Sequence, residues 1–252
     1  MKKILSMIRT YYLHFSFSFI CLILILTFTA LSEGKGVISN AILNEGRGLS
    51  LESILSQMEE RSYTRLLDIA YACHIASGGE SYNTLTIELR IHADGTAVGG
   101  VKETCTGSLS HFIQKIMDTL VFEPFDGTTT FITFNYSFSD VPLERGTIVI
   151  ESGKASIEDE VLNECVTRGY IAELNAIYAA YRSKKESTPI KGVDIAFDIK
   201  PDGYIQNCWV ASACPTDLSN PIEKAMIYWT FSPCSIKTLT CVYHFRFDPE
   251  IK

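Results

Sequence analysis

The chain of 252 residues contains one long stretch of sequence twice. The phrase "IHADGTAVGGVKETC" recurs as "IKPDGYIQNCWVASAC", and Asp94-Gly95 matches Asp202-Gly203 at an offset of 108 positions. Between Thr104 and Ser139 the match continues at an offset of 109, and upstream it runs at 107. A repeat much longer than a solenoid period indicates a duplicated domain. The chain is therefore limited to folds built from two similar units of roughly 90 residues, a size at which domains fold alone.

The matched positions are mostly apolar or aromatic. They pair Leu109 with Leu218, Ile113 with Ile222, Met117 with Met226, Phe122 with Phe231, Phe138 with Phe247, and, upstream, Tyr63 and Tyr71 with Tyr170 and Tyr178. The two changes of offset are interpreted as differences in loop length between elements. The tyrosines recur at helical spacing, which favours core and interface packing over a ligand-stacking surface.

The second copy shows the order of elements best. Apolar residues from Ile157 to Tyr181 recur at helical spacing and predict one helix. The alternation in "VDIAFDI" predicts a strand, Pro201-Asp202-Gly203 a hairpin turn, and "YIQNCWVASA" the return strand. A second helix over "DLSNPIEKAMIYWTF" and a last strand over "IKTLTCVYHFRF" complete an α-β-β-α-β unit.

The connections predict the sheet. The hairpin makes strands one and two antiparallel, and the second helix returns the chain so that strand three lies beside strand one. The predicted fold class is therefore α+β, with two tandem units that each pack two helices on a three-stranded antiparallel sheet of order 2-1-3. The copies are placed at residues 48–140 and 141–252, after a linker over 33–47.

The N-terminus has the pattern of an export signal. Lys2, Lys3 and Arg9 precede an uncharged apolar run from Leu13 to Leu31, which as a helix would be roughly 28 Å long. That length favours a membrane anchor, whereas Ala30-Leu31-Ser32 favours cleavage. The expected location is periplasmic, either anchored in the inner membrane by residues 13–31 or released by cleavage near Ser32, so residues 1–32 are a signal peptide or an anchor.

Charge and cysteine content exclude some functions. The net charge is −7, and residues 1–32 contribute only positive charge, so the exported part is strongly acidic and unsuited to binding nucleic acid. Seven cysteines follow Cys21, none in a C-x-x-C pair. Export permits disulfides, yet the odd number favours buried thiols that pack as small hydrophobic residues.

No catalytic, cofactor-binding or metal-binding residue is predicted. The histidines do not occur at the spacing of zinc ligands. Cys241 and His244 are three positions apart on a predicted strand, which places them on opposite faces. Asp94 and Asp202 each precede glycine and are interpreted as turn residues. The sequence thus indicates a protein that is not an enzyme and needs no cofactor.

Several segments together resemble a known family. "RGTIVIESG", "AIYAAY", "IKGVDIAFDIKPDGYI", "IYWTF" and "YHFRF" resemble the AgmX/PglI-type C-terminal domain, a bacterial cell-envelope module related to the TonB C-terminal domain. Over about residues 147–248 its motifs are matched by Gly192-Val193, Asp202-Gly203, Trp229-x-Phe231 and Phe247. The first copy matches less well, since Leu120 stands where Trp229 does and no glycine precedes Leu85.

The resemblance implies a pair of TonB C-terminal-like domains in an exported interaction protein. Its partners would be envelope proteins, among them components of outer-membrane or inner-membrane complexes for transport, secretion or motility. In TonB-like domains a free sheet edge accepts an extended segment of the partner by strand addition. In the order 2-1-3 strand three is such an edge, and its solvent-side residues are the predicted binding residues: Thr238, Thr240, Val242, His244 and Arg246.

Two alternatives stay open. The edge of strand three could already be occupied, either by the "GTIVIES" segment or by the equivalent edge of the first copy. The chain could also be a periplasmic ligand-binding protein or hydrolase with a site between the two domains. Carboxylates or histidines clustered between the copies would favour that second function, and the sequence shows no such cluster.

Overall fold

The fold is known from a computed structural model, which describes residues 35–252 except 47, 103, 104, 106, 151–154, 185 and 234–236. The predicted signal or anchor at residues 13–31 and the cleavage position near Ser32 lie outside the described residues. Within the described ranges, no helix combines the length and the apolar character that crossing a bilayer requires.

Both copies have the same order of elements. The first contains β1 (Val37–Glu45), α1 (Leu51–Glu60), α2 (Tyr63–Ala76), β2 (Leu85–Ile91), β3 (Ala97–Val101), α3 (Gly107–Met117) and β4 (Thr130–Ser137). The second contains β5 (Thr147–Ile150), α4 (Ala155–Thr167), α5 (Tyr170–Arg182), β6 (Gly192–Ile199), β7 (Ile205–Val210), α6 (Thr216–Met226) and β8 (Leu239–Arg246). Each predicted α-β-β-α-β unit is thus present, with a leading strand and one further helix.

Each copy forms a four-stranded antiparallel sheet, with the orders β1-β4-β2-β3 and β5-β8-β6-β7. The predicted order 2-1-3 describes β3-β2-β4 and β7-β6-β8 correctly, but the prediction of three strands is wrong. The fourth strand pairs with the outer side of predicted strand three. In the first copy this strand is β1, which lies within the predicted linker. Its sequence, "VISNAILNE", lacks the strict alternation that marks a half-buried strand, so no strand was predicted there.

The long helix predicted from Ile157 to Tyr181 is broken into α4 and α5. Gly169 lies between them with φ 73°, and its equivalent Ser62 lies between α1 and α2 with φ 58°. A residue in this left-handed region interrupts the helical hydrogen bonds and turns the chain. The apolar periodicity continues through the break, which explains why the pattern predicted a single helix.

Equivalent residues of the two copies make equivalent contacts. The hydroxyl of Tyr63 donates to the carbonyl of Val121 at 2.5 Å, and that of Tyr170 donates to Thr230 at 2.7 Å. The rings of Tyr71 and Phe138 stack with centroids 4.3 Å apart, and those of Tyr178 and Phe247 stack at 4.1 Å. The matched aromatic residues therefore form the same packing twice.

One change of offset has a different origin from the one predicted. The change from 107 to 108 lies in the helix–strand loop, as expected, but the change from 108 to 109 lies inside β7. Every residue of β3 pairs in register with β2, whereas β7 has a register shift opposite Ala196 and Asp198. Asn207, with φ 50°, lies in this shifted part. The additional residue of the second copy is therefore a β-bulge.

The copies pack against each other through their helices. Gly36–Lys252 form one compact unit, in which α2 contacts α4 and α5, and α3 contacts α5. The buried apolar residues of both copies belong to one continuous core. Each copy therefore places two of its three helices against the other copy, so the expectation that the copies fold alone is not supported.

A buried ion pair joins the copies. Arg65 of α2 donates from Nη2 to the carboxylate of Asp248, which follows β8, at 2.8 Å. Their relative exposures are only 8% and 3%. Beside them, the hydroxyl of Ser62 donates to the carbonyl of Glu250 and accepts from the amide of Lys252, both at 3.2 Å. The segment after β8 is thereby held against the helix break of the first copy.

Two glycine substitutions should separate backbone strain from steric exclusion. Gly203 (φ 86°) has the carbonyl oxygen of Phe231 2.0 Å from the position of an added Cβ, whereas Gly78 (φ 81°) has no atom within 4 Å. Gly78→Ala should cost about 1 kcal/mol of unfolding free energy through strain alone. Gly203→Ala should cost at least about 3 kcal/mol, because the turn must also move. Equal losses in chemical denaturation would contradict this explanation.

Breaking the ion pair between the copies should destabilise both at once. Arg65→Met leaves Asp248 buried and unpaired, which should cost about 3–5 kcal/mol. Lys102→Met is the control, since it removes an exposed pair with Glu88 at 2.9 Å and should cost less than about 1 kcal/mol. Hydrogen exchange should show β2 and β6 losing protection at one common denaturant concentration. Separate transitions of the two strands would mean that the copies unfold independently.

Candidate functional site: the sheet edges

The predicted binding residues lie on the solvent face of the second sheet. Along β8, Cys241, Tyr243 and Phe245 are buried, and His244 and Arg246 are exposed. Thr240 and Val242 are half-buried, and Thr238 is exposed just before the strand. The predicted alternation between core and solvent faces is therefore confirmed.

The prediction that β8 is an edge is wrong. β8 pairs with β6 on one side and with β5 on the other, where Thr147 lies opposite His244 and Val149 opposite Val242. The "GTIVIES" segment, considered above as one alternative, occupies this position. With neighbours on both sides, the backbone of β8 between Cys241 and His244 cannot accept a further strand.

The side chains on this face contact neighbouring strands. Nδ1 of His244 lies 2.8 Å from the carboxylate of Asp194, and the hydroxyl of Thr240 donates to Asp198 at 2.9 Å. Val242 lies in an apolar row that crosses all four strands, in the order Val149, Val242, Ala196 and Trp209. At the ends of this row, Val149 is 47% exposed and Trp209 49% exposed.

Both actual edges of the second sheet are capped by carboxylates. The amide of Ile150 at the end of β5 donates to Glu158 of α4 at 3.0 Å. The amide of Val210 at the end of β7 donates to Glu223 of α6 at 2.9 Å. β7 also contains the bulge at Asn207. Occupied amides and bulges hinder strand addition, so these two edges are protected.

Among the described residues, the β3 edge of the first sheet has neither a carboxylate cap nor a bulge. Its five residues, "AVGGV", pair with β2 without a register shift and include no charge and no proline. Gln114 stands at the position equivalent to Glu223, and its side-chain amide donates to Asp118 at 2.8 Å. The carboxylate cap of β7 therefore has no counterpart at Val101 in the described part of the chain.

The orientation of the β3 backbone follows from the hydrogen bonds at its two ends. The amide of His92 donates to the carbonyl of Thr96 at 2.8 Å, and the amide of Lys102 donates to that of Thr86 at 2.9 Å. Because antiparallel ladders alternate, the N–H and C=O groups of Gly99 and Val101 point away from β2. These are the groups to which an added strand would bond.

A concave surface lies next to this edge. A cavity of about 580 Å³ extends over the first sheet, and its lining includes Glu88, Arg90, Val98, Gly99, Gly100 and Phe131. The guanidinium of Arg90 lies 4.7 Å from the ring centroid of Phe131, and Val98 is 40% exposed. An added Cβ at Gly99 would be 2.5 Å from the carbonyl of Glu88, so this position requires glycine.

The other edge of the first sheet is less regular. β1 has nine residues, but its pairing with β4 shifts between Ser39 and Ile42 and again between Leu43 and Glu45. Asn40 has φ 48°. An added strand would find only short regular stretches here, so β3 is the better candidate for strand addition.

The described residues do not form a metal site, since no group of three or more potential ligands meets among them. Asp94 and Asp202 are turn residues as predicted, accepting from the amides of Thr96 at 2.9 Å and Tyr204 at 3.2 Å. Cys241 is buried and His244 exposed, so these two residues lie on opposite faces as expected.

The six described cysteines are free thiols: Cys73, Cys105, Cys165, Cys208, Cys214 and Cys241. Burial raises the pKa of Cys73 to about 12 and also raises the pKa of Cys165. It raises the pKa of the half-buried Cys105, Cys208 and Cys214 as well. These thiols are protonated at neutral pH and are poor nucleophiles.

Comparison of the chain with protein-family models, with curated proteins and with solved structures found no match.

Alkylation tests the conclusion about the thiols. At pH 8, Cys105, Cys208 and Cys214 should react with iodoacetamide more slowly than free cysteine, because less of each is thiolate. Cys73, Cys165 and Cys241 should react only after unfolding, since they are buried. Peptide mass spectrometry assigns each modified residue. A thiol among these six that reacts faster than free cysteine would indicate an activated nucleophile.

Proposed function

We propose that the protein is a non-enzymatic interaction protein of the cell envelope that binds an extended segment of a partner protein by strand addition. The binding strand is β3, in place of the β8 edge expected from sequence. The observation that carries this proposal is the difference between equivalent edges, since β7 is bulged and capped by Glu223 while β3 is regular and uncapped.

The β3 edge suits an incoming strand for two reasons. The outward N–H and C=O groups of Gly99 and Val101 supply backbone hydrogen bonds, which give affinity without depending on partner sequence. Partner side chains on the solvent side would meet Val98 and, beyond it, Arg90, so alternate partner residues would determine selectivity.

The envelope location rests on the N-terminal sequence. The basic residues before the apolar run at residues 13–31 are typical of an exported chain, either anchored or cleaved. The resemblance of the second copy to TonB C-terminal-like domains supports the same location and envelope proteins as partners. The acidic net charge of −7 makes nucleic acid an unsuitable ligand.

A hydrolytic or ligand-binding site between the copies has less support. The helices that face each other there are packed in the continuous core. A groove of about 380 Å³ remains between α2 and α4, and its lining contains Arg145 and Asn163 but neither a carboxylate nor a histidine. General acid–base chemistry requires such a titratable group within reach of the substrate.

Peptide selection followed by hydrogen exchange tests strand addition. Peptides selected from a random display library against the chain should bind in extended form and slow the amide exchange of Gly99 and Val101. Val101→Pro removes an outward N–H without removing a bond to β2, so it should weaken peptide binding at least about tenfold.

The matched control is Val210→Pro at the equivalent position of the second copy. It breaks the bond to Glu223 and should cost about 1 kcal/mol of stability, yet leave peptide affinity unchanged. Selected peptides that bind Val101→Pro as tightly as the parent chain, or that protect amides of β1 instead, would exclude β3 as the docking strand.

A further inference from the structure

A second cavity lies at the C-terminal end of α5, away from β3. Its volume is about 570 Å³, and residues before β5, before β6 and after β8 line it. Its apolar part includes the stacked rings of Tyr178 and Phe247, together with Ile251. Four basic side chains line the same cavity: Arg182, Lys191, Arg246 and Lys252.

Arg182 is the unusual member of this group. Its Nε and Nη1 atoms are buried, and neither has a hydrogen-bond partner in the described part of the chain. A guanidinium stays protonated in proteins, so it cannot avoid the cost of burial by losing its charge. Buried N–H groups of a charged side chain need acceptors, and leaving them unpaired destabilises the free protein.

The acids that line the cavity do not balance these charges. Asp248 is engaged by Arg65, and Glu144 is an exposed residue that forms no ion pair with another described residue. The cavity is therefore a basic surface on a chain whose net charge is −7. Such a surface attracts anions, because opposite charges interact more strongly where the surrounding protein excludes water.

Comparison with the first copy shows that the fold does not require these basic residues. The positions equivalent to Arg182, Lys191 and Arg246 are Ile75, Asn83 and Ser137. Tyr71 and Phe138 nevertheless stack there as Tyr178 and Phe247 do. The aromatic pair thus belongs to the shared fold, whereas the positive charge belongs to the second copy alone.

We propose that this cavity binds an organic carboxylate with an apolar group attached. The carboxylate pairs with the guanidinium of Arg182, and Arg246 and Lys191 add to the positive potential. The apolar group lies against Tyr178, Phe247 and Ile251. A free small carboxylate and the C-terminal residue of a partner peptide both have this chemistry.

Calorimetric titration of the chain with four probes tests the site. The probes are octanoate, a short apolar peptide with a free C-terminal carboxylate, the same peptide as its C-terminal amide, and inorganic phosphate. Octanoate or the free-carboxylate peptide should bind, while the amide and phosphate should bind at least about tenfold more weakly. Binding of octanoate alone identifies a small-molecule ligand, and binding of the peptide alone identifies a partner C-terminus.

Substitutions in the cavity test whether the probe binds there, and the Tm of one variant without ligand gives an independent measurement. Arg182→Met should weaken binding of the active probe at least about tenfold, and Arg246→Gln should weaken it less. Lys224→Gln, which removes an exposed charge on α6, is the control and should leave binding unchanged. Without ligand, Arg182→Met should raise Tm by about 2–4 °C, because it removes buried unpaired donors.

Three results would overturn the proposal. They are the absence of binding by both carboxylates at millimolar concentration, binding that Arg182→Met leaves unchanged, and equal binding of inorganic phosphate. A fall in the Tm of Arg182→Met would also count against it, because it would mean that contacts within the protein already satisfy Arg182.

Discussion

The packing of helices between the two copies is the interaction on which the rest of the structure depends. α2 contacts α4 and α5, so each copy uses the other to cover helix surface that its own sheet does not reach. The two helix breaks, at Ser62 and Gly169, lie at this interface, and both residues have positive φ. An added Cβ at Gly169 would be 2.5 Å from the ring of Phe112 in the first copy, and Ser62 is bonded to the segment after β8. The breaks therefore serve the association of the copies as well as the path of each chain.

This arrangement leaves the outer sheet faces and the sheet edges for other contacts. In the second copy both edges are occupied by glutamates from the neighbouring helices, which protects them from association with another chain. In the first copy the equivalent of Glu223 is Gln114, which bonds to Asp118. With a neutral amide at this position, no side chain in the described ranges caps the β3 edge as Glu223 caps β7. Two equivalent edges of the duplicated fold thus differ in their protection against strand addition.

The sequence predicts what depends on local pattern and misses what depends on distant neighbours. The repeat, the Asp-Gly hairpins, the alternation along β8 and the order of the three inner strands follow from periodicity and turn chemistry. The segment "GTIVIES", which contains β5, is one of the two occupants that the sequence suggested for the edge of β8, but β1 could not be placed, because a strand without clear alternation is identified only by the strand with which it pairs. The same cause made β8 seem an edge. The break at Gly169 was missed because the apolar stripe continues through it, although a glycine inside a helical pattern was a signal that could have been used.

A duplicated chain allows structural and functional residues to be separated within one molecule. Tyr63 and Tyr170, or the stacked pairs Tyr71–Phe138 and Tyr178–Phe247, make the same contacts twice, which is expected of residues that the fold needs. Arg182 and Gln114 have no such counterpart, since Ile75 and Glu223 replace them in the other copy. Among the described residues, the buried Nε and Nη1 donors of Arg182 also have no partner, which a purely structural residue would not retain at this cost. We therefore expect binding to other molecules at positions where the copies differ and where the difference leaves a backbone edge or a buried charge unsatisfied.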